Sequence, residues 1–409
     1  MATRHKAAGH GTPLRTHTGN TGPTVWRYLA VLVLLLAGFS HMKSSFLIQI
    51  AQNRGQQQYK FSFSQTDPVA LTNMARREHL VNGDLEKAKV FYRRALNHYI
   101  LYMPAWLGLA ELFNDQGEKQ KAVSALEFAE HLSGNGKMAW PRALLANMLE
   151  REDILTRNLT WLVENRPDKR KDAFSLADMV WHDPLILVQK FGAEHSPDIL
   201  QYYIQAKELE KTKTVWQLIE KAHIADRKYF LNYVNYLLGH REFELASTVW
   251  RTSFNNDDTL LYNGDLKLPF IGSGFGWRFN KVKGVSVQNQ EEESGLQISF
   301  DGSENVSFHL SQTVSLAPGS YVFSGTMQAE SISTDQRPFW SLRGLDCKNL
   351  YVKNEMVPSE LNPTEFNLQF TVPESCRAVQ VSLQRRKSSY FDNKISGTLR
   401  MNKLSINRI

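Results

Sequence analysis

The chain has 409 residues, of which 42% are hydrophobic and 22% charged, and a formal net charge of +7 at pH 7. This length allows two or three domains that each bury their own core. The basic excess is spread along the chain and forms no long block of lysine and arginine, which argues against a dedicated nucleic-acid-binding protein. Both cysteines lie in the last third of the sequence, which excludes a thiolate zinc site of the usual spacing.

An uncharged apolar stretch stands near the N-terminus. Residues 28–39 read YLAVLVLLLAGF, and with its flanks the span 25–42 reaches about the length that a helix needs to cross a bilayer. Basic residues are more frequent before this span than after it, which favours a cytoplasmic N-terminus. We therefore expect a cytoplasmic tail at 1–24, a single transmembrane anchor at 25–42 and export of the remainder. A cleaved signal peptide is the alternative, because Gly38 and Ser40 form a small-x-small pair.

A 34-residue repeat follows a glutamine-rich segment, 43–66, which we predict to be a linker. Gly83 and Gly117 are 34 positions apart, as are Ala88 and Ala122, and Ala95 and Ala129. This period is that of the tetratricopeptide repeat (TPR), in which small residues let paired helices approach, large ones fill the adjoining space and glycine turns the chain. The expected packing residues are Gly83, Ala88, Ala95, Trp106, Ala110, Gly117, Ala122 and Ala129. The sequence thus predicts an α-helical, TPR-like solenoid over 67–258.

The motif WHDP, residues 181–184, interrupts the helical pattern. His182 and Asp183 are residue types that serve as general bases or metal ligands. Next to a proline that breaks a helix, however, they are more often a helix cap. We expect the cap.

Hydrophobic and polar residues alternate after residue 258, as in half-buried strands. The alternating stretches are Leu296–Phe300, Val306–Leu310, Tyr321–Phe323, Val379–Leu383 and Leu404–Ile406. They are separated by the turn signals Asp301-Gly302, Pro318-Gly319 and Ser396-Gly397. This pattern predicts an antiparallel, jelly-roll-like β-sandwich over 259–409. The acidic run Glu291–Glu293 is predicted to be a solvated hairpin loop, with calcium binding as the alternative.

The stretch IGSGFGWRF, residues 271–279, contains three glycines and lies at the start of the predicted β domain. A phosphate-binding loop needs a helix after it, because the free N–H groups of the helix N-terminus hold the anion. No helical pattern follows here. We therefore expect these glycines to allow a tight bend that turns Phe275 and Trp277 toward the core or a ligand surface, and the core is the expectation for Trp277.

Motifs of the C-terminal part carry a resemblance to a known kind of protein. They occur in the order NGD (263–265), PF (269–270), GFGWR (274–278), GV (284–285), SQTVSLAPGSYVFSG (311–325), RGLDC (343–347) and VPESC (372–376). Together with the repeats, the chain resembles bacterial membrane proteins in which a carbohydrate-binding-module-like sandwich follows tetratricopeptide repeats. Such proteins are associated with exopolysaccharide or O-antigen production. The resemblance covers 67–409 as an architecture and implies the bacterial inner membrane, with the bulk of the chain periplasmic.

The two cysteines fit an exported protein. Disulfides persist in oxidising compartments, so Cys347 and Cys376 are candidate disulfide partners. Two unpaired thiols are the alternative, because the sequence gives no distance between them.

The candidate site residues are aromatic or basic. Aromatic side chains offer flat apolar faces on which sugar rings stack, and basic groups meet anionic glycans or lipid headgroups. The candidates for glycan binding are Arg337, Phe339, Trp340, Arg385, Arg386, Tyr390 and Phe391. The alternative is that the aromatic residues are structural and that the basic run forms only a soluble turn.

We expect a non-enzymatic scaffold, without cofactor or metal, that binds protein partners through the TPR groove and glycan through the sandwich. One alternative is a polysaccharide-processing enzyme, which would need two carboxylates facing one cleft; the sequence shows no obvious pair. The other is a sandwich that serves only as a structural protein–protein contact.

Overall fold

The computed structural model describes residues 66–409 except 133–135, 137, 225, 255–258 and 291–294. The predicted tail, the membrane anchor and the linker up to residue 65 lie outside these residues, and so does the acidic run Glu291–Glu293. No helix in the described part of the chain is long and apolar enough to span a bilayer. The chain divides into two compact units, Met1–His182 and Asp183–Ile409.

The described part of the first unit is helical. Its helices are α1 (Pro68–Leu80), α2 (Leu85–His98), α3 (Met103–Asp115), α4 (Lys119–His131), α5 (Ala139–Met148), α6 (Glu152–Asn165) and α7 (Arg170–Trp181). Packing is pairwise, α1 with α2, α3 with α4 and α5 with α6. Asp67 and Asp84 cap α1 and α2 by accepting backbone N–H bonds at their N-termini. These hairpins are the helical pairs that the 34-residue period predicts.

The predicted packing residues behave as the repeat requires. Gly83 and Gly117 take positive φ angles of 68° and 74° at the turns of the first two hairpins, a conformation in which glycine has no steric penalty. The alanines are fully buried at the helix contacts: Ala88, Ala95, Ala110, Ala122 and Ala129. Trp106 is only half-buried, stacks near Phe128 with ring centroids 4.5 Å apart and donates a hydrogen bond to the Ile100 carbonyl at 2.7 Å.

The WHDP motif is a pair of caps, as expected. His182 is the left-handed C-cap of α7, with φ of 57°. Asp183 is the N-cap of the next helix, where its Oδ1 accepts a hydrogen bond from the Leu185 N–H at 2.8 Å. Both residues therefore have a structural role at this boundary.

The second unit begins with five helices and a short 3₁₀ turn. They are α8 (Pro184–Phe191), the turn Ala193–His195, α9 (Ser196–Ala206), α10 (Leu209–Ala222), α11 (Arg227–Gly239) and α12 (Phe243–Ser253). Ala246 and Trp250 are buried on α12, where the sequence predicts the second helix of a repeat. These helices belong to the same compact unit as the strands that follow, although the sequence groups them with the earlier repeats. The physical reason is that Trp250 of α12 packs against Phe275, in the segment that leads into the first strand.

The rest of the second unit is a sandwich of two five-stranded antiparallel sheets. The strands are β1 (Arg278–Phe279), β2 (Val285–Gln290), β3 (Gly295–Asp301), β4 (Phe308–Ser315), β5 (Gly319–Glu330), β6 (Phe339–Gly344), β7 (Tyr351–Lys353), β8 (Leu361–Val372), β9 (Ala378–Arg385) and β10 (Ser396–Arg408). The sheet of order β1-β4-β9-β6-β7 is called the front sheet, and that of order β2-β3-β10-β5-β8 the back sheet. The predicted antiparallel sandwich is confirmed.

One core fills the space between the two sheets. Its front-sheet side includes Leu310, Trp340 and Val381, and its back-sheet side includes Ile298 and Phe323. Each of these residues occupies the buried phase of an alternating strand. The alternate residues of each strand therefore point away from this core, to the outer face of their sheet.

Two features differ from the predicted strands and turns. Ser396-Gly397 is not a turn but lies inside β10, and a Cβ on Gly397 would come within 2.5 Å of the Ser331 carbonyl oxygen. The glycine thus permits a close approach of two backbones. Strand β8 is not among the predicted strands, and it contains Pro363. It is tolerated because β8 is an edge strand of the back sheet.

A disulfide between Cys347 and Cys376 joins the segment after β6 to the segment before β9, with the two Cα atoms 5.2 Å apart. This confirms the predicted pairing. Gly344 lies directly against it, because a Cβ at this position would be 2.3 Å from the Cys347 Sγ atom. Asp346 beside the bridge accepts hydrogen bonds from the backbone N–H groups of Arg377 and Ala378. Since both sulfurs are bonded to each other, this acidic and cysteine-containing cluster does not offer thiolates to a metal.

Candidate functional site

The outward face of the front sheet has a low centre and higher margins. One row of paired residues crosses all five strands in the order Arg278, Ser311, Ser382, Ser341 and Lys353. Longer side chains occupy the neighbouring rows, which are His309, Gln384 and Phe339 on one side and Thr313, Gln380, Arg343 and Tyr351 on the other. The three serines, which are only 3% to 7% exposed, therefore form the buried floor of a trough between these longer side chains. Strands lie about 4.8 Å apart, so the trough is about 19 Å long.

Polar groups along the trough are paired mainly with each other. The Gln384 Nε2 atom donates to the Ser341 Oγ at 2.7 Å, and the Arg343 Nη2 atom donates to the Gln380 Oε1 at 3.3 Å. Arg343 is exposed to solvent. Bonds of this kind can be exchanged for bonds to a hydroxyl-rich ligand at little cost, because donors and acceptors remain satisfied. Within these described strands, the outward positions carry no carboxylate.

Two cations cover an aromatic ring at one end of the trough. The Lys353 Nζ atom lies 5.7 Å from the centroid of the Phe339 ring, and the Arg386 Cζ atom lies 5.9 Å from it. Both distances are within the range of cation–π attraction. Phe339 is consequently buried under charged groups, whereas Tyr351 on the edge strand β7 is about half exposed.

The basic aromatic loop, residues 386–394, follows β9 at this end. Its base is held by Arg385, whose side chain is buried and donates to the Gln336 carbonyl at 2.9 Å and the Asn393 carbonyl at 3.0 Å. Burial lowers the pKa of Arg385, and nearby Asp335 opposes that effect. Asp335 also accepts a hydrogen bond from the Ser388 hydroxyl at 2.5 Å. The loop therefore has a fixed base.

The structure corrects two of the predicted glycan contacts. Trp340 is 0% exposed, packs between the sheets and donates its indole N–H to the Met327 sulfur at 3.2 Å. It occupies the inward phase of β6, so it cannot stack on a sugar. Arg385 is likewise interior, because three loop segments surround its guanidinium.

The other predicted contacts have different exposures. Phe339 faces outward but is covered by the two cations, and Arg337 is partly buried. Arg386, Tyr390 and Phe391 are exposed. A role of these five residues in glycan binding stays a prediction.

A cleft of about 570 Å³ opens at the other end of the trough. The front sheet contributes Arg278, Thr313 and Gln380 to its lining, α11 contributes Asn235, and the turn between α11 and α12 contributes Arg241. The Arg278 Nη2 atom donates to the Gly274 carbonyl at 2.8 Å and lies 3.4 Å from the Asn235 Oδ1. Burial lowers the pKa of Arg278.

The glycine-rich stretch 271–279 builds one wall of this cleft. The Asn235 Oδ1 accepts a hydrogen bond from the Gly274 N–H at 2.9 Å, and the Asn235 Nδ2 donates to the Ser273 hydroxyl at 2.6 Å. Gly274 has a positive φ of 58°, and a Cβ there would lie 2.3 Å from the Trp250 ring. The glycine therefore lets the bend lie directly against α12.

The two aromatic residues of this stretch are both buried. Phe275 packs against Trp250 with ring centroids 5.9 Å apart. Trp277 is in the sandwich core and donates its indole N–H to the Asn263 carbonyl at 3.1 Å. The tight bend and the core position of Trp277 are confirmed.

The first unit exposes an apolar loop between α2 and α3. Tyr99, Ile100 and Leu101 are each more than half exposed, and the Trp106 indole holds this loop through its bond to the Ile100 carbonyl. Three consecutive large apolar residues on a turn are unusual at a solvated surface and are typical of an interaction site.

Of the trough and cleft residues, only Phe339 and the marginal Arg386 were among the sequence candidates, although part of the signal for the others was present. The alternation of β9 places Gln380, Ser382 and Gln384 opposite its buried valines and leucine. Nothing in the sequence shows that β9 lies between β4 and β6, or that Arg278 and Asn235 meet. The site is assembled by long-range pairing.

No family model matches the sequence, and no curated protein matches it. Among solved structures, the chain is similar to the carbohydrate-binding module TmCBM61 in complex with beta-1,4-galactotriose, at 15% identity over 37% of this chain and 100% of that one, with a TM-score of 0.28. It is also similar to YrrB, a TPR protein with an unusual peptide-binding site, at 16% identity over 46% of this chain and 86% of that one, with a TM-score of 0.24.

A third similar structure is PilF of Pseudomonas aeruginosa, at 14% identity over 46% of this chain and 93% of that one, with a TM-score of 0.27. The neighbours thus include TPR proteins and carbohydrate-binding modules. At these identities and scores they do not by themselves indicate a ligand.

Proposed function

We propose that the protein is a non-enzymatic, single-pass membrane scaffold in the assembly or export of bacterial cell-surface polysaccharide. Its sandwich binds glycan through the trough of the front sheet, and its helical hairpins bind a protein partner. In this proposal residues 25–42 anchor the chain in the inner membrane, with the N-terminus cytoplasmic and the bulk of the chain periplasmic. The observation that carries the proposal is the polar outward face of the front sheet.

The trough suits a chain of sugars in shape and chemistry. A polysaccharide presents hydroxyl groups at regular intervals and needs both donors and acceptors along its length. Gln380 and Gln384 offer both, and Arg343 adds donors. Tyr351 at the margin provides an exposed aromatic face.

The same face supports binding more than hydrolysis. Glycoside hydrolysis needs two carboxyl groups on either side of the bond that is cleaved. The outward positions of the described front-sheet strands carry amide, hydroxyl, imidazole, ammonium and guanidinium groups instead. A bound glycan would meet hydrogen bonds and positive charge there, and no pair of carboxyl groups at the outward positions of the described strands.

The helical unit supports the second part of the proposal through its apolar loop. Tyr99, Ile100 and Leu101 would form the anchor of such an interface, because a few buried residues usually supply most of the binding energy. Trp106 already holds the loop in place, so little conformational freedom would be lost when a partner binds.

The test compares one glutamine of the trough with one on the back sheet. The full-length protein is screened on a bacterial glycan array, and the affinity for the glycans it retains is measured for the wild type, Gln384→Ala and Gln369→Ala. Gln369 is exposed on β8 of the back sheet, so it receives the same chemical change away from the trough. Loss of one hydrogen bond of about 1 kcal/mol predicts a roughly fivefold weaker binding for Gln384→Ala alone.

Failure to bind any glycan would remove the basis of the proposal. Equal effects of the two substitutions would place the binding site elsewhere on the protein.

A further inference from the structure

We infer that the cleft beside Arg278 binds the carboxylate of an acidic sugar, so that the glycan ligand of this protein is a uronate-containing polysaccharide. This inference rests on the proposed function and deepens it by naming the ligand class. It goes beyond the trough, because the cleft is formed jointly by the front sheet and by α11 and α12.

The charge of the cleft is the first argument. Arg241 and Arg278 line it, whereas its other lining side chains are neutral. Within the described residues, neither arginine forms a salt bridge. The Arg278 guanidinium is bonded only to neutral oxygens, those of the Gly274 carbonyl and the Asn235 amide.

Neighbouring carboxylates do not neutralise this charge. Glu242, next to Arg241 in the chain, pairs with Lys213 at 3.2 Å between Oε1 and Nζ. Asp346, close in sequence to the lining residue Leu345, accepts hydrogen bonds from the backbone N–H groups of Arg377 and Ala378 and forms no ion pair with Arg241 or Arg278. Within the described residues, the two arginines of the cleft therefore have no carboxylate partner.

Partial burial makes an anionic ligand favourable. Removing a guanidinium from water costs free energy, and an arginine keeps its charge at any ordinary pH. A carboxylate that enters the cleft supplies the missing counter-charge and accepts two parallel N–H bonds from the planar guanidinium. A neutral sugar would leave that charge without a partner.

The position of the cleft is the second argument. Thr313 and Gln380 belong both to its lining and to one row of the trough. A glycan chain along the trough would thus reach Arg278 at one end. A volume of about 570 Å³ is within the usual range of small-molecule sites.

The rest of the face carries the same sign of charge. Arg343, Lys353 and Arg386 project from the trough or its margin. Such a surface attracts a polyanion over distances comparable to the Debye length, which is about 10 Å at 0.1 M salt.

The experiment uses matched ligands. Uronate-containing oligosaccharides and their carboxyl-reduced forms, which have the same length and linkages but no charge, are titrated into the detergent-solubilised full-length protein. Phosphate-bearing oligosaccharides form a third set, because a guanidinium also binds phosphate. The variants are Arg278→Gln and Arg278→Lys. The control is Arg93→Gln, because Arg93 is an exposed arginine on α2.

We expect uronates to bind and their reduced forms to bind at least about tenfold more weakly. Arg278→Gln should weaken uronate binding by about 10-fold to 100-fold, Arg278→Lys by less, and Arg93→Gln should leave it unchanged. Raising the salt from about 0.05 M to about 0.5 M should weaken wild-type binding.

The outcomes separate this inference from the proposed function. Equal binding of charged and reduced glycans, a preference for phosphate, or an Arg278→Gln variant that binds like the wild type would each overturn the uronate assignment while glycan binding stands. No binding to any glycan would overturn both.

Discussion

A methyl group added at Gly274 should loosen the helix wall of the cleft. Gly274 has φ of 58°, and the added Cβ of Gly274→Ala would lie 2.3 Å from the Trp250 ring. Gly272 provides the matched control, since its φ is 66° but nothing lies within 4 Å of a Cβ there. Both substitutions place an alanine in the left-handed conformation, and only Gly274→Ala also brings the new Cβ against the Trp250 ring.

The expected costs follow from these two terms. A left-handed residue that carries a Cβ costs about 1 to 2 kcal/mol, which is the whole expected effect of Gly272→Ala. Forcing the Trp250 ring aside adds about 1 to 3 kcal/mol, the usual range for an overpacked contact. We therefore expect Gly274→Ala to destabilise this region by about 2 to 5 kcal/mol.

Native-state hydrogen exchange, followed by mass spectrometry on the full-length protein in detergent, measures this difference segment by segment. Such a local readout is needed because a chain of two compact units does not unfold in one two-state step. Exchange in α12 should be faster in Gly274→Ala than in Gly272→Ala. Equal exchange in the two variants would refute the claim that the close contact between Gly274 and Trp250 holds the helix wall of the cleft in place.

Three further predictions concern other parts of the chain. Replacing Cys347 and Cys376 together by serine should lower the stability of the sandwich by about 3.6 kcal/mol, because the bridge closes a loop of about 30 residues in the unfolded chain. Unchanged exchange in β6 and β9 would contradict this. Hydrogen bonds from a serine hydroxyl and a glutamine amide lower the pKa of Asp335. Ionised Asp335 therefore stabilises the basic aromatic loop above its unfolded pKa of about 4, and this stabilisation is lost as the pH falls through the lower pKa of the folded state. After correction for the intrinsic rate, exchange in that loop should therefore rise as the pH falls below about 4, and an Asp335→Asn variant should lack this dependence. Ile100→Asp should abolish recovery of membrane proteins that co-purify with the wild type, whereas Val81→Asp, on an exposed residue outside the apolar loop, should not.

The helical part was accessible from the sequence because its signals are local. The first two hairpins repeat the same small residues 34 positions apart, and their turn glycines, Gly83 and Gly117, occur at the same place in each. The caps at His182 and Asp183 are equally local. Hairpins of this kind therefore follow from spacing alone.

The front-sheet site was not accessible, because its residues meet only through strand pairing. Phe339 and Trp340 are adjacent on one strand and must face opposite sides, but the sequence does not show which one faces the core. The same holds for Arg385 and Arg386. Arg385 is interior because loop carbonyls at the end of its strand replace the water it loses.

The central claim is that glycan lies on the outward face of the front sheet. A retained oligosaccharide that carries a photoreactive group can be crosslinked to the full-length protein, and the modified peptides can be identified by mass spectrometry. The account predicts crosslinks in 339–344, 351–353 and 378–385, with fewer when Gln384 is replaced by alanine. Crosslinks confined to the back-sheet strands 319–330 and 361–372, or to the helices before residue 183, would contradict it.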